Sequence, residues 1–265
     1  MRLWQSDRQL RAHELESIAQ RHVRPGWPYM FRALALVGVA ATLALSSCTL
    51  ARGHEPAPAP PASAVLAPDS ATAHHSFDDV AKWTKVFDDP ARDEWQKPGE
   101  LIADLKLHPG MRVADLGAGT GYFSRYLAAA VGSDGTVYAV DTEPNLVVHL
   151  RERAEQENTP NVVPILASAD NPRLPVAGID LILIVDTYHH IDARRAYFGR
   201  LRRSLAPGGR VAIVDWQKRD LPVGPPPIHK LARDQVVDEM TAAGYVLAAE
   251  PDVLPYQYVL IFRPR

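Results

Sequence analysis

A predicted strand that runs directly into three alternating glycines constrains this chain more than any other feature. Residues 113–123 read Val-Ala-Asp-Leu-Gly-Ala-Gly-Thr-Gly-Tyr-Phe. Glycine is used where φ must be positive or where the backbone must approach a ligand closely. A strand, a glycine turn and a helix N-terminus together present free N–H groups to a nucleotide-like ligand. The pattern therefore predicts an α/β domain with a ligand site at the carboxyl edge of its sheet.

The stretch after the glycine turn supplies a second sign of an adenosine site. A helix from about Tyr122 is followed by a buried strand at residues 137–140, and Asp141 stands at the end of that strand. An acid about 20 residues past such a turn can accept both ribose hydroxyls of an adenosine. Further apolar strands are predicted at residues 162–166, 179–185, 210–216, 245–249 and 256–262.

The glycine spacing resembles motif I of the class I S-adenosylmethionine-dependent methyltransferases. The chain has G-x-G-x-G with Asp115 two residues before the first glycine, whereas a dinucleotide fingerprint has its third glycine one place later. Pro-Gly-Gly at 207–209 and the terminal pair of strands are also typical of this family. The resemblance covers residues 78–263. It implies a Rossmann-like, seven-stranded, mostly parallel sheet with helices on both faces and a C-terminal antiparallel strand.

The resemblance further implies S-adenosyl-L-methionine as the cofactor and assigns residues to it. In the family, the acid after the third strand reaches the adenine amino group, which is Asp170 here; alternatively Asp170 and Asn171 only cap a turn. Asp186 opens the motif IV stretch, next to the reacting methyl group. The predicted cofactor-binding residues are Asp115, Gly117, Ala118, Gly119, Gly121, Tyr122, Asp141, Asp170 and Asp186.

The three residues at 188–190 are the predicted catalytic side chains. An oxygen or nitrogen acceptor must lose a proton, and a histidine with a pKa close to the working pH is a natural general base. His189 or His190 is predicted to take this role, and Tyr188 to orient the substrate. The alternative for His190 is a structural hydrogen bond at the start of a helix. No catalytic metal site is expected.

The segment before motif I is a candidate lid. Such N-terminal segments often close over the cofactor in the family, which makes Trp95, Gln96 and Lys97 candidate lid residues. The alternative is that they pack a helix against the sheet.

The N-terminal 48 residues are predicted to be an extension and a lipoprotein-type signal peptide. Residues 33–45 are small and apolar, too short for a membrane-spanning helix but suited to a signal-peptide core. Leu-Ser-Ser-Cys at 45–48 resembles the bacterial lipobox, in which the cysteine is lipidated. Cys48 is the only cysteine, so no disulfide can form within the chain. Met30 is a second candidate for the true start.

Residues 49–76 are rich in Ala and Pro and are predicted to be an extended linker. The methyltransferase domain is therefore expected over residues 77–265. A lipid anchor on Cys48 predicts a membrane-attached protein on the periplasmic side, with the outer membrane favoured; the alternative location is the cytoplasm. The formal net charge is −2, and no nucleic-acid partner is expected, since that would favour a basic face.

The predicted function is methyl transfer from S-adenosylmethionine to a small-molecule or lipid-like acceptor. A second hypothesis is a non-catalytic module that binds S-adenosylmethionine or another adenosine ligand at the membrane, because the cofactor is made in the cytoplasm. A third is a nicotinamide-dependent oxidoreductase, which the glycine spacing disfavours.

Overall fold

A computed structural model of the chain describes residues 70–73 and 76–265. The predicted extension and signal peptide (1–48), Cys48 and most of the linker lie outside the described residues. The helices are α1 (Val80–Phe87), α2 (Arg92–Gln96), α3 (Pro98–Asp104), α4 (Tyr122–Val131), α5 (Pro144–Gln156), α6 (Arg194–Leu201) and α7 (Arg233–Ala242). The strands are β1 (Arg112–Leu116), β2 (Thr136–Asp141), β3 (Val162–Leu166), β4 (Ile179–Val185), β5 (Leu205–Trp216), β6 (Tyr245–Ala249) and β7 (Gln257–Pro264).

The seven strands form one sheet in the order β3-β2-β1-β4-β5-β7-β6. Strands β1 to β5 are parallel, and β7 runs antiparallel to both β5 and β6. The strand order reverses between β1 and β4, and open α/β sheets bind ligands in the crevice at such a point. The predicted fold is therefore confirmed, including the helices on both faces and the antiparallel C-terminal strand.

Two apolar cores flank the sheet because its central strands are buried on both faces. Residues of β1 alternate between them: Val113 packs with α3 and α4, whereas Ala114 packs with α6 and α7. Strand β4 does the same with Leu183 and Ile184. Burial on both faces explains why these strands are continuous apolar runs in the sequence.

Residues 70–73 pack against the domain, although the sequence predicts the domain only from residue 77. Residues 70–73 were placed in the linker by composition, but Ala71 and Ala73 are buried. The N–H of Thr72 donates to the carbonyl of His189 at 2.8 Å, and the N–H of Ala71 donates to Asp192 at 2.8 Å. Backbone hydrogen bonds hold this segment, and amino-acid composition does not reveal them. Within the described ranges, none of the helices combines the length and apolar character needed to cross a membrane.

Candidate active site

The turn between β1 and α4 holds three glycines in the left-handed region. The φ angles are +79° at Gly117, +56° at Gly119 and +88° at Gly121. A Cβ atom at Gly119 would lie 3.4 Å from the ring of Phe87, and one at Gly117 would overlap the side chain of Thr187. The glycines therefore allow the backbone of the turn to lie close to α1 and to the loop that follows β4, where side chains on Gly117 and Gly119 would not fit.

Asp141 lies at the end of β2, directly behind this turn. Its carboxylate accepts the N–H of Gly119 at 2.8 Å and the N–H of Glu143 at 3.0 Å. Burial raises the pKa of Asp141, and these backbone hydrogen bonds offset part of the rise. The N–H of Ala118 binds the carbonyl of Val140 at 3.0 Å and so joins the turn to the same strand. A carboxylate has further lone pairs, which can accept ribose hydroxyls at this position.

Asp115 is a buried carboxylic acid near the end of β1. The Oγ of Ser124 donates to its Oδ2 at 2.7 Å. Burial raises the pKa of Asp115 to about 6; the bond from Ser124 lowers it, and the charge of Asp141 raises it. Asp115 thus lies below the first turn of α4, where the glycine loop enters the helix.

Asp186 directly follows β4 and has a φ of +54°, which is unusual for a residue other than glycine. The Nε2 of Gln257 donates to its Oδ1, and Nη2 of Arg92 lies 3.6 Å from its Oδ2. Burial raises the pKa of Asp186 to about 7, and Arg92 only partly counteracts this. Asp115, Asp141 and Asp186 are thus three acids around the glycine turn, and burial raises the pKa of each of them. A cationic ligand would favour their charged forms.

His189 and Asp215 form a buried pair at the ends of neighbouring strands. His189 is 3% exposed and Asp215 0%. The Nδ1–H of His189 donates to the carboxylate of Asp215, with distances of 2.9 Å and 3.0 Å to its two oxygens. Burial lowers the pKa of His189, but the charge and hydrogen bond of Asp215 outweigh it and hold the pKa above its usual value. This bond leaves the lone pair on Nε2, the arrangement of a general base.

Sequence reasoning missed Asp215, although a signal for it exists. The residue lies near the C-terminal end of β5, beside β4, and Asp186 lies at the matching end of β4. An acid at the carboxyl edge of a strand next to a predicted catalytic loop is a candidate partner for that loop.

The structure separates the three residues predicted to be catalytic. Tyr188 stacks on Phe198, at 5.0 Å between ring centroids, and its hydroxyl donates to Glu239 at 2.9 Å. It is fully buried in the core between α6 and α7 rather than beside the glycine turn. The Nδ1–H of His190 donates to the carbonyl of Ala73 at 2.9 Å. His189 is the residue of this set whose Nδ1 binds a buried carboxylate, that of Asp215.

Two further predicted cofactor residues occupy different surroundings. Tyr122 lies at the start of α4, its ring beneath the guanidinium of Arg92 at 4.2 Å and its hydroxyl bonded to Asp93. Asp170 is exposed in the loop after β3 and accepts the Oγ of Ser168 at 2.8 Å, which lowers its pKa. Tyr122 therefore borders the glycine turn, whereas Asp170 takes part in the hydrogen bonds of a local turn.

The segment of α1 and α2 lies against the site. The carboxylate of Asp88 accepts the hydroxyl of Thr120 at 3.1 Å and binds Nη1 of Arg153 at 2.7 Å, which fixes the end of α1 to the glycine turn and to α5. The ring of Trp95 packs on that of Trp216 at 5.1 Å. Gln96 is fully buried, and Lys97 pairs with Glu100 at 3.5 Å.

The fold and the site have the features expected of a methyltransferase domain of the S-adenosylmethionine-dependent class. The glycine turn and the acids at the ends of β1, β2 and β4 lie together at the carboxyl edge of the sheet, where the strand order reverses. The residues fit S-adenosylmethionine for two reasons. Its sulfonium and ammonium are cations, which favour the charged forms of the buried acids. Its ribose hydroxyls need an acceptor such as the carboxylate of Asp141.

Comparison with known proteins agrees with this class. Residues 113–209 match the family model described as "Methyltransferase domain". The crystal structure of a SAM-dependent methyltransferase from Aquifex aeolicus is similar, with a TM-score of 0.67 and 27% identity, covering 71% of this chain and 98% of that chain.

Two curated relatives are similar over part of their length. A protein-L-isoaspartate O-methyltransferase from Aeropyrum pernix is 33% identical over 136 residues, which is 50% of this chain and 46% of that protein. A ubiquinone/menaquinone biosynthesis C-methyltransferase from Burkholderia vietnamiensis is 29% identical over 119 residues, which is 44% of this chain and 48% of that protein. The chain thus spans about half the length of the curated relatives it matches.

Proposed function

We propose that the protein transfers the methyl group of S-adenosylmethionine to an oxygen or nitrogen atom of a small-molecule or lipid-like acceptor. The observation that carries this proposal is the pair of His189 and Asp215 at the edge of the sheet that also holds the glycine turn. A module that only bound an adenosine ligand would not need a buried histidine oriented by a buried carboxylate.

The histidine supplies the proton transfer in this proposal. The bound cofactor supplies an activated methyl group on its sulfonium. The Nε2 of His189 would take the proton of the acceptor, the neutral thioether S-adenosylhomocysteine would be the second product, and the imidazolium would release the proton to solvent. Asp215 holds Nδ1–H and stabilises the imidazolium, so it orients the base without taking the proton itself.

Aromatic residues at the end of β5, next in sequence to Asp215, support a small or lipid-like acceptor. Trp216 directly follows Asp215, and the ring of Trp95 packs on it from α2. Gly224, in the loop that follows β5, lies so close to the Trp216 ring that a Cβ atom there would meet it at 2.8 Å. Apolar aromatic surface next to a few polar groups is typical of small-molecule sites.

Transfer of a labelled methyl group tests the proposal. Purified protein is incubated with labelled S-adenosylmethionine and fractionated lipid, quinone or small-molecule extracts, and the labelled product is purified and identified. We expect His189→Gln to lower kcat by about a hundredfold or more, in the range of general-base catalysis. Saturable cofactor binding without transfer to any fraction would favour the non-catalytic binding module instead.

The pH profile separates a positioning role of Asp215 from a structural one. The base must be neutral, and Asp215 raises the pKa of His189, so the acidic limb of kcat/KM is expected above pH 6.5. Asp215→Asn should move this limb to lower pH and decrease the plateau. A decreased plateau with an unmoved limb would contradict the role of Asp215.

We also propose that lipidation of Cys48 holds the protein at a membrane, favouring the periplasmic side of the outer membrane. The support is the apolar run at residues 33–45 followed by Leu-Ser-Ser-Cys. Cells grown with a clickable fatty acid should label the wild type and not Cys48→Ser, and the variant should leave the membrane fraction or keep its signal peptide. An unlabelled wild type would refute the anchor and favour a cytoplasmic enzyme.

A further inference from the structure

We propose that Thr72 is a positioning residue for the methyl transfer, because it connects the turn that carries His189 to the loop that follows β5. The turn, residues 188–192, is called the base turn here, and the loop, residues 217–230, is called the acceptor loop. This inference rests on the proposed function, because it takes His189 as the base and the surface beside Trp216 as the acceptor site. It gives a role in the reaction to the segment 70–73, which lies outside the sequence motifs.

Thr72 holds the main chain of His189. The carbonyl of His189 accepts the N–H of Thr72 at 2.8 Å, and the Oγ1 of Thr72 lies 3.2 Å from the same oxygen. The ring of His189 is held separately, because its Nδ1–H donates to Asp215. Since both the main chain and the ring have a fixed partner, the position of Nε2 is set before any acceptor binds.

The acceptor loop binds the same residue through His229. The Oγ1 of Thr72 donates to the carbonyl of His229 at 2.6 Å, and the Nδ1–H of His229 donates to the carbonyl of Thr72 at 2.6 Å. Two hydrogen bonds between one pair of residues restrain their orientation as well as their distance. The N–H of Thr72 therefore binds the base turn, while its carbonyl and the shorter bond of its hydroxyl bind the acceptor loop.

A change at His229 is expected to reach the acceptor site. The next residue, Lys230, donates through Nζ to the carbonyl of Arg219 at 2.8 Å and so joins the two ends of the acceptor loop. Between them, Gly224 lies so close to the ring of Trp216 that a Cβ atom would meet it at 2.8 Å. Because the loop is closed at its base and packed on this ring, the bonds at His229 fix the surroundings of the ring relative to the base.

The other residues of the segment keep Thr72 in place. They bind the base turn and α6 through hydrogen bonds of 2.6, 2.8 and 2.9 Å, which join Ser70 to Arg194, Ala71 to Asp192 and Ala73 to His190. Ala71 and Ala73 are also buried, so the segment packs against the domain. Among the hydrogen bonds of the described residues, its connection to the acceptor loop is made at Thr72, which is therefore the residue to change.

Loss of this connection is expected to affect the transfer step more than cofactor binding. A base must lie within hydrogen-bond reach of the proton that it removes, and a misplacement of about 1 Å can decrease a rate by about a hundredfold. The glycine turn is held by other bonds, such as the one from Gly119 to Asp141 at 2.8 Å. Variants of Thr72 should therefore decrease kcat and leave the affinity for S-adenosylhomocysteine nearly unchanged.

Matched variants of the full chain test the positioning role. Thr72→Val removes the hydroxyl and keeps the branched shape, whereas Thr72→Ser keeps the hydroxyl. With labelled S-adenosylmethionine and the acceptor fraction that the wild type methylates, Thr72→Val should decrease kcat by about tenfold and Thr72→Ser by less than about threefold. Calorimetry with S-adenosylhomocysteine should give dissociation constants within about threefold of the wild type for both variants.

Variants of the partner residues add a rescue and a control. His229→Ala removes the Nδ1 donor and should decrease kcat as Thr72→Val does. His229→Asn keeps a side-chain N–H at that place and should restore most of the activity. The matched control is Asp192→Ala, which removes the bond to Ala71 and leaves the bonds of Thr72 intact. This control should change kcat by less than about threefold.

Amide hydrogen exchange tests the connection without any acceptor. His229→Ala changes the acceptor loop, so faster exchange in the base turn of this variant shows that the restraint passes through Thr72. We expect peptides that cover residues 188–192 and peptides that cover residues 217–230 both to exchange at least about threefold faster in the ligand-free full chain. His229→Asn should exchange like the wild type.

Three results would overturn the proposal. The first is an unchanged kcat in both Thr72→Val and His229→Ala. The second is an equal loss of kcat in the Asp192→Ala control, because the segment would then act by general packing. The third is faster exchange confined to the acceptor loop. If the wild type transfers no methyl group to any fraction, the proposed function itself fails, and the exchange measurement still decides whether Thr72 connects the base turn to the acceptor loop.

Discussion

The proposed chemistry depends on single residues at the strand ends. The short 3₁₀ helix Tyr188–His190 shows why the sequence predicts only some of them. Successive side chains of this turn point in different directions, so Tyr188 enters the core, His189 meets Asp215 and His190 meets the carbonyl of Ala73. The sequence showed a Tyr-His-His cluster at the sheet edge. It could not show which member had a carboxylate partner, because that partner comes from a different strand.

Asp141→Ala tests the ribose site at this scale. The change removes a charged acceptor from the end of β2, which is worth about 1.5–3 kcal/mol. We expect the affinity for S-adenosylhomocysteine to fall by at least about tenfold in calorimetry. An unchanged dissociation constant would place the ribose elsewhere.

Asp186→Asn is expected to stabilise the ligand-free protein at alkaline pH. Burial raises the pKa of Asp186 from 3.8 to about 7, so between these values the folded state holds a proton that the unfolded chain releases. The contribution of Asp186 to the free energy of unfolding therefore decreases as pH rises through this window. Asn removes that penalty, which we put on the order of 2 kcal/mol.

Thermal unfolding measures this effect without any ligand. Asp186→Asn should raise Tm by a few degrees at pH 8 and change it much less at pH 5. The residues facing Asp186 are Arg92, His189, Asp215 and Gln257, and Arg92→Gln should lower Tm at pH 8. A Tm of Asp186→Asn below that of the wild type at pH 8 would contradict this electrostatic account.

Among the elements, the hydrophobic pattern of the sequence predicts the strands well and the helices α1 and α2 poorly. Strands β1, β2 and β4 are apolar runs bounded by turn residues, so their identity follows from the sequence. Helix α1 has no buried residue; its Trp83 and Phe87 stack on each other at 5.1 Å. A helix held by aromatic contacts and by Asp88 at its end shows little periodicity of burial, which is why the sequence does not predict helix α1.

Gly119→Val tests the glycine turn as an element. The residue has a φ of +56°, and the ring of Phe87 lies 3.4 Å from the position of a Cβ atom. A β-branched side chain there is strained and blocks the space between the turn and α1. We expect loss of cofactor binding with a folded sheet, read from calorimetry and circular dichroism. Full binding would show that the turn does not contact the ligand.

At the scale of the whole molecule, the segment 70–73 belongs to the folded unit. Besides its bonds to the loop after β4, Thr72 donates through its hydroxyl to the carbonyl of His229 at 2.6 Å, and the carbonyl of Ser70 accepts from Arg194 at 2.6 Å. The strand order and layers of the fold were predictable from the sequence. This attachment was not, because it consists of hydrogen bonds from an Ala-rich stretch to two distant loops and to Arg194 of α6.

Two truncations test the role of this segment. A chain that starts at residue 77 loses these hydrogen bonds and the burial of Ala71 and Ala73, and we expect a loss of about 1–3 kcal/mol in the free energy of unfolding. A chain that starts at residue 70 should keep the stability of the wild type. Equal unfolding midpoints in urea for the two truncated chains would show that the segment adds nothing.

A single titration shows whether the site at the glycine turn binds S-adenosylmethionine. Purified full-length protein is titrated calorimetrically with S-adenosylmethionine and, in parallel, with NAD. We expect saturable binding of one S-adenosylmethionine per chain and no saturable binding of NAD. Binding of NAD without binding of S-adenosylmethionine would contradict the account and favour an oxidoreductase.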